Sequence, residues 1–369
     1  MTKRLLESVF LVVFIGSLYV IYERGSLKSN IRHRLSTEDT DGSYMEKDMT
    51  WETELLKRLE KIKEVCGVLC SIDNLESFNK YAENRNEDSF KTIAVPEEVN
   101  CDAIINLEEV DASDQTIPFP RPTFLEKEYS MNGLVKEVFA ARFNNSYLGG
   151  TASEPVWSMP YIEKALEDIK ELGIHSLKGT YGTACSGYVL SKIEQMGVKD
   201  LDVLVIGSEK PWVEIICLYL GAKSVTTLEY GQIDADHPKM KTMTPDDLRR
   251  LYKAGEMPLF DVIVSHSSIE HSGLGRYGDA LNPWGDILTV MRAWCLSKPD
   301  AKMYLALPTG DDTVEHNLHR VYGKYRWPLV SANWLEIMTE KDEEEKNWEC
   351  GGQGFIFQKI NAETKAEVS

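Results

Sequence analysis

Two polar runs in the second half of the chain hold the residues best suited to acid–base or binding chemistry. The first is His266-Ser267-Ser268-Ile269-Glu270-His271, continued by Ser272-Gly273-Leu274-Gly275-Arg276-Tyr277-Gly278-Asp279. It follows an apolar segment, Phe260 to Ser265, which places it at the carboxyl end of a strand, where an open α/β sheet carries its active site. His271, Glu270 and His266 are candidate catalytic groups. A histidine titrates near neutral pH, so either His271 or Glu270 suits a general base toward a substrate hydroxyl. The alternative is that these residues cap the next helix and hold the loop together. Arg276 and Tyr277 are candidate substrate contacts. The second run is Pro308-Thr309-Gly310-Asp311-Asp312 with Glu315 to Gly323, and it is expected beside the first. Within it His316 and His319 share a predicted helix face and, with Arg320, are further candidates for holding substrate. No established metal-ligand spacing occurs, so no metal is assigned.

The stretch Leu201 to Gly231 must position these loops. It reads as a strand (Val203–Ile206), a turn at Gly207-Ser208, a helix from Pro211 to about Gly221, and a second strand (Ser224–Leu228) closing on Glu229. That is a βαβ unit, whose chemistry lies at the strands' carboxyl ends. Gly207 and Glu229 stand twenty-two residues apart, the spacing at which a carboxylate accepts the hydroxyls of an adenosine ribose. Gly207, Ser208, Glu229 and Ser265 are therefore candidate cofactor contacts. The turn has one glycine where a dinucleotide fingerprint has three, so no pyrophosphate is expected. S-adenosylmethionine, with an adenosine and no phosphate, suits the turn; an ordinary βαβ unit or a nucleotide-sugar or NAD site are the alternatives.

Helices are predicted over Tyr161–Leu172 and Thr183–Met196, with further starts at Thr244-Pro245 and Asn282-Pro283, and strands over Ala301–Leu307 and Gly354–Ile360. This alternation predicts an α/β, Rossmann-like sheet with helices on both faces.

A net charge of -18 argues against a nucleic-acid surface, which needs a basic face. Leu5–Tyr22 is apolar apart from Glu7 and a few small or hydroxylated residues, which marks an uncleaved membrane signal anchor after a short tail at 1–4. Residues 23–124 have linker or stem composition, with an amphipathic helix at 52–66. The Rossmann-like domain is expected over 125–362, leaving a tail at 363–369. Asn144 opens a glycosylation sequon, which together with the anchor points to a body in the lumen of the Golgi or endoplasmic reticulum. Of seven cysteines, Cys66, Cys70 and Cys101 are candidates for a bridge, whereas Cys185, Cys217 and Cys295 fit small core residues.

Ile269–Asp279, the Gly285-Asp286 helix start, Leu296–Gly310 and His316–Gly323 together resemble the family called domain of unknown function 268, itself similar to class I S-adenosylmethionine-dependent methyltransferases. That resemblance implies a methyltransferase-type sheet, with Gly207 and its neighbours beside the methionyl part, Glu229 at the ribose and the His266–His271 loop facing the methyl group. A secretory location suggests a glycan hydroxyl as acceptor. The rival expectations are a methyltransferase-fold binding protein without activity and a nucleotide-sugar-dependent transferase, for which Asp234-Ala235-Asp236 has metal-motif spacing.

Overall fold

Short aliphatic runs between helices of two to four turns give the chain its alternating architecture. The computed structural model describes residues 43–72, 98–108, 119–140, 142, 151–337 and 350–360. The chain divides into two units, residues 1–53 and 54–369. The expected anchor at 5–22, the sequon at Asn144 and the tail at 363–369 lie outside the described residues. Among the described residues no helix is long and apolar enough to cross a membrane.

Helix α1 (Ser43–Cys66) and the short helices α2 (Cys101–Asn106) and α3 (Glu126–Tyr129) precede strands β1 (Lys136–Val138) and β2 (Thr151–Ser158) and helices α4 (Met159–Leu172) and α5 (Thr183–Met196). The centre then runs β3 (Asp202–Ile206), α6 (Trp212–Tyr219), β4 (Ser224–Leu228), β5 (Gln232–Asp236), β6 (Met240–Met243), α7 (Pro245–Lys253), β7 (Phe260–His266), α8 (Gly285–Cys295) and β8 (Ser297–Leu307). A hairpin of β9 (Thr313–Glu315) and β10 (His319–Val321), helix α9 (Trp327–Val330) and strands β11 (Trp334–Glu336) and β12 (Gln353–Lys359) complete the order.

The main sheet has the strand order β11-β12-β8-β7-β3-β4-β6. Strands β8, β7, β3, β4 and β6 are parallel, while β12 runs antiparallel to β8 and β11 antiparallel to β12. The sheet is thus mixed, and its strand order reverses at β3. Side chains alternate between faces along each strand. Val203, Val205, Val262 and Val264 pack under α4, α5 and α6, while Leu204, Ile206, Ile263 and Met303 pack against α7, α8 and α9. Helices cover both faces, as expected of the α/β fold.

Some elements differ from expectation. The Asn282-Pro283 signal does not start helix α8, because the Asn282 side chain accepts from the Trp284 N–H (2.9 Å) and closes a turn first. His316 and His319 do not share a helix face: they flank the β9–β10 turn, where Asn317 takes φ +60°. Cys185 is buried as expected and Cys295 only half-buried, and neither is free. They pair with Cys350 and Cys101, alongside Cys66–Cys70, leaving a buried Cys217 as the free thiol. Their partners lie 165 and 194 residues away, beyond the reach of spacing arguments.

Segments assigned to the stem pack on the sheet's helices. Leu55, Leu59 and Ile62 of α1 are buried, and Cys66 touches Met291 of α8. Helix α2 is bridged to α8 by Cys101–Cys295, Arg292 donates to the carbonyls of Ile104 (3.2 Å) and Leu107 (3.0 Å), and Tyr252 donates to Asp102 (2.6 Å).

Candidate functional site

In chain order the parallel strands stand third, second, first, fourth, fifth, so successive connections leave β3 to opposite sides. A crevice opens at such a switch point, outside the carboxyl ends of the two strands. Here those ends are Ile206 and His266, and a cavity of about 330 Å³ lies against them. Its polar wall includes Ser208, Glu229, Tyr230, His266, Ser267 and His271, and its apolar wall includes Ile105, Ile206, Leu228, Leu248 and Leu296. Seven of the residues expected to do chemistry meet in this lining: Gly207, Ser208, Glu229, His266, His271, Arg276 and Tyr277.

Gly207 has φ +73°, and a Cβ there would overlap the Ser268 side chain. Glycine is needed on both counts. The space it frees is taken by Ser268, so the turn after β3 and the turn after β7 interlock at the cavity.

Glu229, only 7 % exposed, ends β4. Its carboxylate accepts the backbone N–H of Ser208 (2.9 Å) and of Tyr230 (2.7 Å), bridging the turns after β3 and β4. Burial lifts its pKa to about 7 against the pull of those N–H groups. Behind it, fully buried Glu214 of α6 accepts from Thr227 (2.7 Å) and Ser208 (3.1 Å), and burial takes it also to about 7.

His271 points Nδ1 at the Leu318 carbonyl, which can only accept, so the proton sits on Nδ1 and Nε2 keeps its lone pair. Burial, with the Arg276 charge, lowers its pKa to about 3. His266 shares a hydrogen bond with the Tyr304 hydroxyl (3.0 Å) through Nδ1, while its buried Nε2 has no partner among the described residues. Burial takes it to about 4, with the Cys350 backbone opposing.

Glu270 is 1 % exposed and does not line the cavity. Oε1 accepts from Ser267 Oγ (2.6 Å) and stands 3.7 Å from His271 Nε2, while Oε2 is buried without a partner among the described residues. Burial raises its pKa to about 7. Ser265 is wholly buried, gives its hydroxyl to the Ile206 carbonyl (3.2 Å), and also stands outside the lining.

His316, His319 and Arg320 lie off the cavity. His316 meets Glu137 (3.1 Å) and stacks on Phe139. Arg320, 1 % exposed, donates to the carbonyls of Glu270, Ser272, Asn282 and Pro283 and so clamps the loop from behind. Asp279 holds the same loop from within, accepting from Gly273 (2.6 Å), Gly275 (3.3 Å) and Tyr277 (3.2 Å). At Gly273 (φ +79°) a Cβ would strike the Asn282 carbonyl, which is why this turn needs glycine. Sequence reasoning passed over Tyr181, Trp212 and Ile105 in the wall. Tyr181 and Ile105 come from segments with no strand-end signal, and Trp212 read as ordinary helix.

With this geometry in view, comparison with known proteins adds the following. Residues 200–364 match the family described as Caenorhabditis protein of unknown function, DUF268. No curated protein matches the chain. Among solved structures, a Burkholderia thailandensis 1,6-didemethyltoxoflavin-N1-methyltransferase with bound S-adenosylhomocysteine is similar over 57 % of this chain and 94 % of its own, at 11 % identity and a TM-score of 0.33. A protein assigned as an O-methyltransferase from Klebsiella pneumoniae is similar over 55 % of this chain and 90 % of its own, at 15 % identity and a TM-score of 0.27. A Haloferax volcanii complex of a methyltransferase activator with its assigned methyltransferase gives 54 %, 98 %, 11 % and 0.34. These likenesses are distant, and the reading of the fold rests on the strand order above.

Proposed function

We propose that this DUF268 chain is a methyltransferase-like protein that binds S-adenosylmethionine in the switch-point cavity and methylates a hydroxyl. One observation carries the reading: Glu229 closes β4 at the crevice with a buried carboxylate that spans the turns after β3 and β4. A carboxylate offers about four acceptor positions, and the backbone N–H groups of Ser208, Tyr230 and Gly231 face it, so acceptor capacity remains for a ribose hydroxyl. Ile206, Leu228, Leu248 and Leu296 supply an apolar wall that suits a purine. Bound there, the cofactor supplies an electrophilic methyl group. The chain's own part is to align the acceptor, exclude water and take up a proton.

In the finer reading the acceptor is a glycan hydroxyl, and residues 5–22 anchor the protein in the Golgi or endoplasmic reticulum membrane with the body in the lumen. Three disulfides support an oxidising compartment, since such bridges are rare where glutathione keeps thiols reduced.

A second reading, a binding protein on the same fold, is favoured by Ser268 filling the space over Gly207. The nucleotide-sugar reading draws less support, because Asp234 and Asp236 are exposed on β5, outside the cavity lining. Calorimetry with S-adenosylhomocysteine decides between the first two. Micromolar binding that Glu229→Ala abolishes supports the methyltransferase reading, whereas no binding by folded protein favours the binding protein.

A further inference from the structure

Glu270 poses a chemical puzzle. It is the carboxylate of the first polar loop, its pKa suits proton exchange near neutrality, and yet it does not reach the cavity. Two hydroxyls connect it. Tyr181 lines the cavity and is 37 % exposed; its hydroxyl donates to Ser267 Oγ (2.6 Å), and Ser267 Oγ donates to Glu270 Oε1 (2.6 Å). Both bonds point toward the carboxylate, the direction in which a proton taken up at the cavity must travel.

The backbone is bent to make this chain of hydroxyls. Ser267 sits at φ +48°, a region that residues other than glycine, asparagine and aspartate seldom adopt, and such strain is found where the surrounding structure enforces it. Gly351 enforces it from the other side: a Cβ there would press on the Tyr181 ring and on Ser267 Cβ, and Cys185–Cys350 ties that segment to α5. The carboxylate's other oxygen has no hydrogen-bond donor among the described residues, so Ser267 is the side chain that donates to it, beside Glu270's own backbone N–H. The charged or titratable groups around Glu270 are His271, Arg276, Arg320, Tyr181, Tyr277 and Tyr322.

We infer that Tyr181, Ser267 and Glu270 form a proton path out of the cavity, with Tyr181 the catalytic residue that touches the acceptor and Glu270 the terminal base. The inference rests on the hydroxyl-methylating reading above. In the step, the acceptor's O–H bond breaks and its proton goes to Tyr181 Oη. The tyrosine proton passes to Ser267 Oγ, and the serine proton passes to Glu270 Oε1, which ends as a carboxylic acid. The electron pair of the broken bond stays on the acceptor oxygen, which becomes the nucleophile. Ser267 is a positioning residue and relay, and His271 is left as a neutral wall residue.

The path is testable without knowing the acceptor. The infrared band of protonated Glu270 is isolated by subtracting the Glu270→Gln spectrum and titrated between about pH 5 and pH 9. Ser267→Ala removes a donor to the carboxylate and is expected to raise the midpoint by about one pH unit. Tyr181→Phe weakens that donor from one position further and is expected to raise it by a smaller, measurable amount. A midpoint unmoved by Tyr181→Phe, or no titrating Glu270 band, overturns the path. S-adenosylhomocysteine calorimetry on the same proteins reports the underlying reading separately. Band shifts in a wild-type protein that binds no S-adenosylhomocysteine would leave the hydroxyls coupled and overturn their use in methyl transfer.

Discussion

Gly207 shows how little freedom a single position has at this site. Its positive φ costs any other L-residue about 1–2 kcal/mol, and its Cβ would collide with Ser268. Gly207→Ala is therefore expected to destabilise the protein by about 3 kcal/mol or more, as read from urea denaturation. Adding Ser268→Gly should recover the collision and leave the φ cost. If the double variant is no more stable than the single, the two turns do not interlock. Buried carboxyls make a second prediction. Burial moves Glu270 from 4.5 to about 7, so its stabilising contribution is complete below pH 4.5 and is lost as pH rises through 7. One pKa unit is worth about 1.4 kcal/mol, so relative to Glu270→Gln the wild type should lose on the order of 3 kcal/mol between those limits. His271 acts oppositely, because its pKa falls from 6.5 to about 3: its contribution is present above 6.5 and lost as pH falls toward 3. The two partly cancel in the wild-type curve, so the difference between variant and wild type is the quantity to measure. A difference that is flat with pH would mean that folding leaves the Glu270 pKa unshifted.

The β9–β10 hairpin is the element whose purpose was least visible in sequence. HNLHRVYG offered two histidines and an arginine, which reads as a binding face, but the hairpin turns them against other protein groups: His316 to Glu137, and Arg320 to the backbone carbonyls of Glu270, Ser272, Asn282 and Pro283. Only the turn itself reaches forward, where the Leu318 carbonyl sets the tautomer of His271. Arg320→Met should thus cost about 3 kcal/mol of stability, because it leaves buried carbonyls without donors. It should also weaken S-adenosylhomocysteine binding only as far as the loop loosens. An effect on binding with stability intact would instead place Arg320 in ligand contact. The strands β3, β4 and β7 were legible because β3 carries a Val-Leu-Val-Ile run, β7 a Val-Ile-Val run, and β4 is β-branched at Val225, Thr226 and Thr227. β6, Met-Lys-Thr-Met, and the three-residue β9 and β10 were not, since their pairing comes from neighbours and not from their own composition.

At the scale of the whole molecule, the alternating α/β architecture and the meeting of Gly207 and Glu229 at strand ends followed from hydrophobic pattern and strand-end logic, whereas the strand order did not. Nor did the reach of the fold backward along the chain. Residues 52–66 read as an amphipathic helix within a stem, and residues 98–108 as acidic and irregular stem, yet Ile105 is fully buried and lines the cavity. Long-range disulfides are likewise invisible to local reading. Replacing Cys101 and Cys295 by serine should lower stability by about 2–5 kcal/mol and, through α2, weaken ligand binding, with denaturation midpoints and calorimetry as the measures. Unchanged binding would show that the α2 wall holds its place without the bridge. The Cys101–Cys295 bond also decides what becomes of a cut chain. Cleavage at any one bond between those two cysteines severs the backbone but leaves the fragments covalently joined, so a nicked molecule keeps its apparent mass until it is reduced. A mass determined without reductant is therefore no proof that this polypeptide is in one piece.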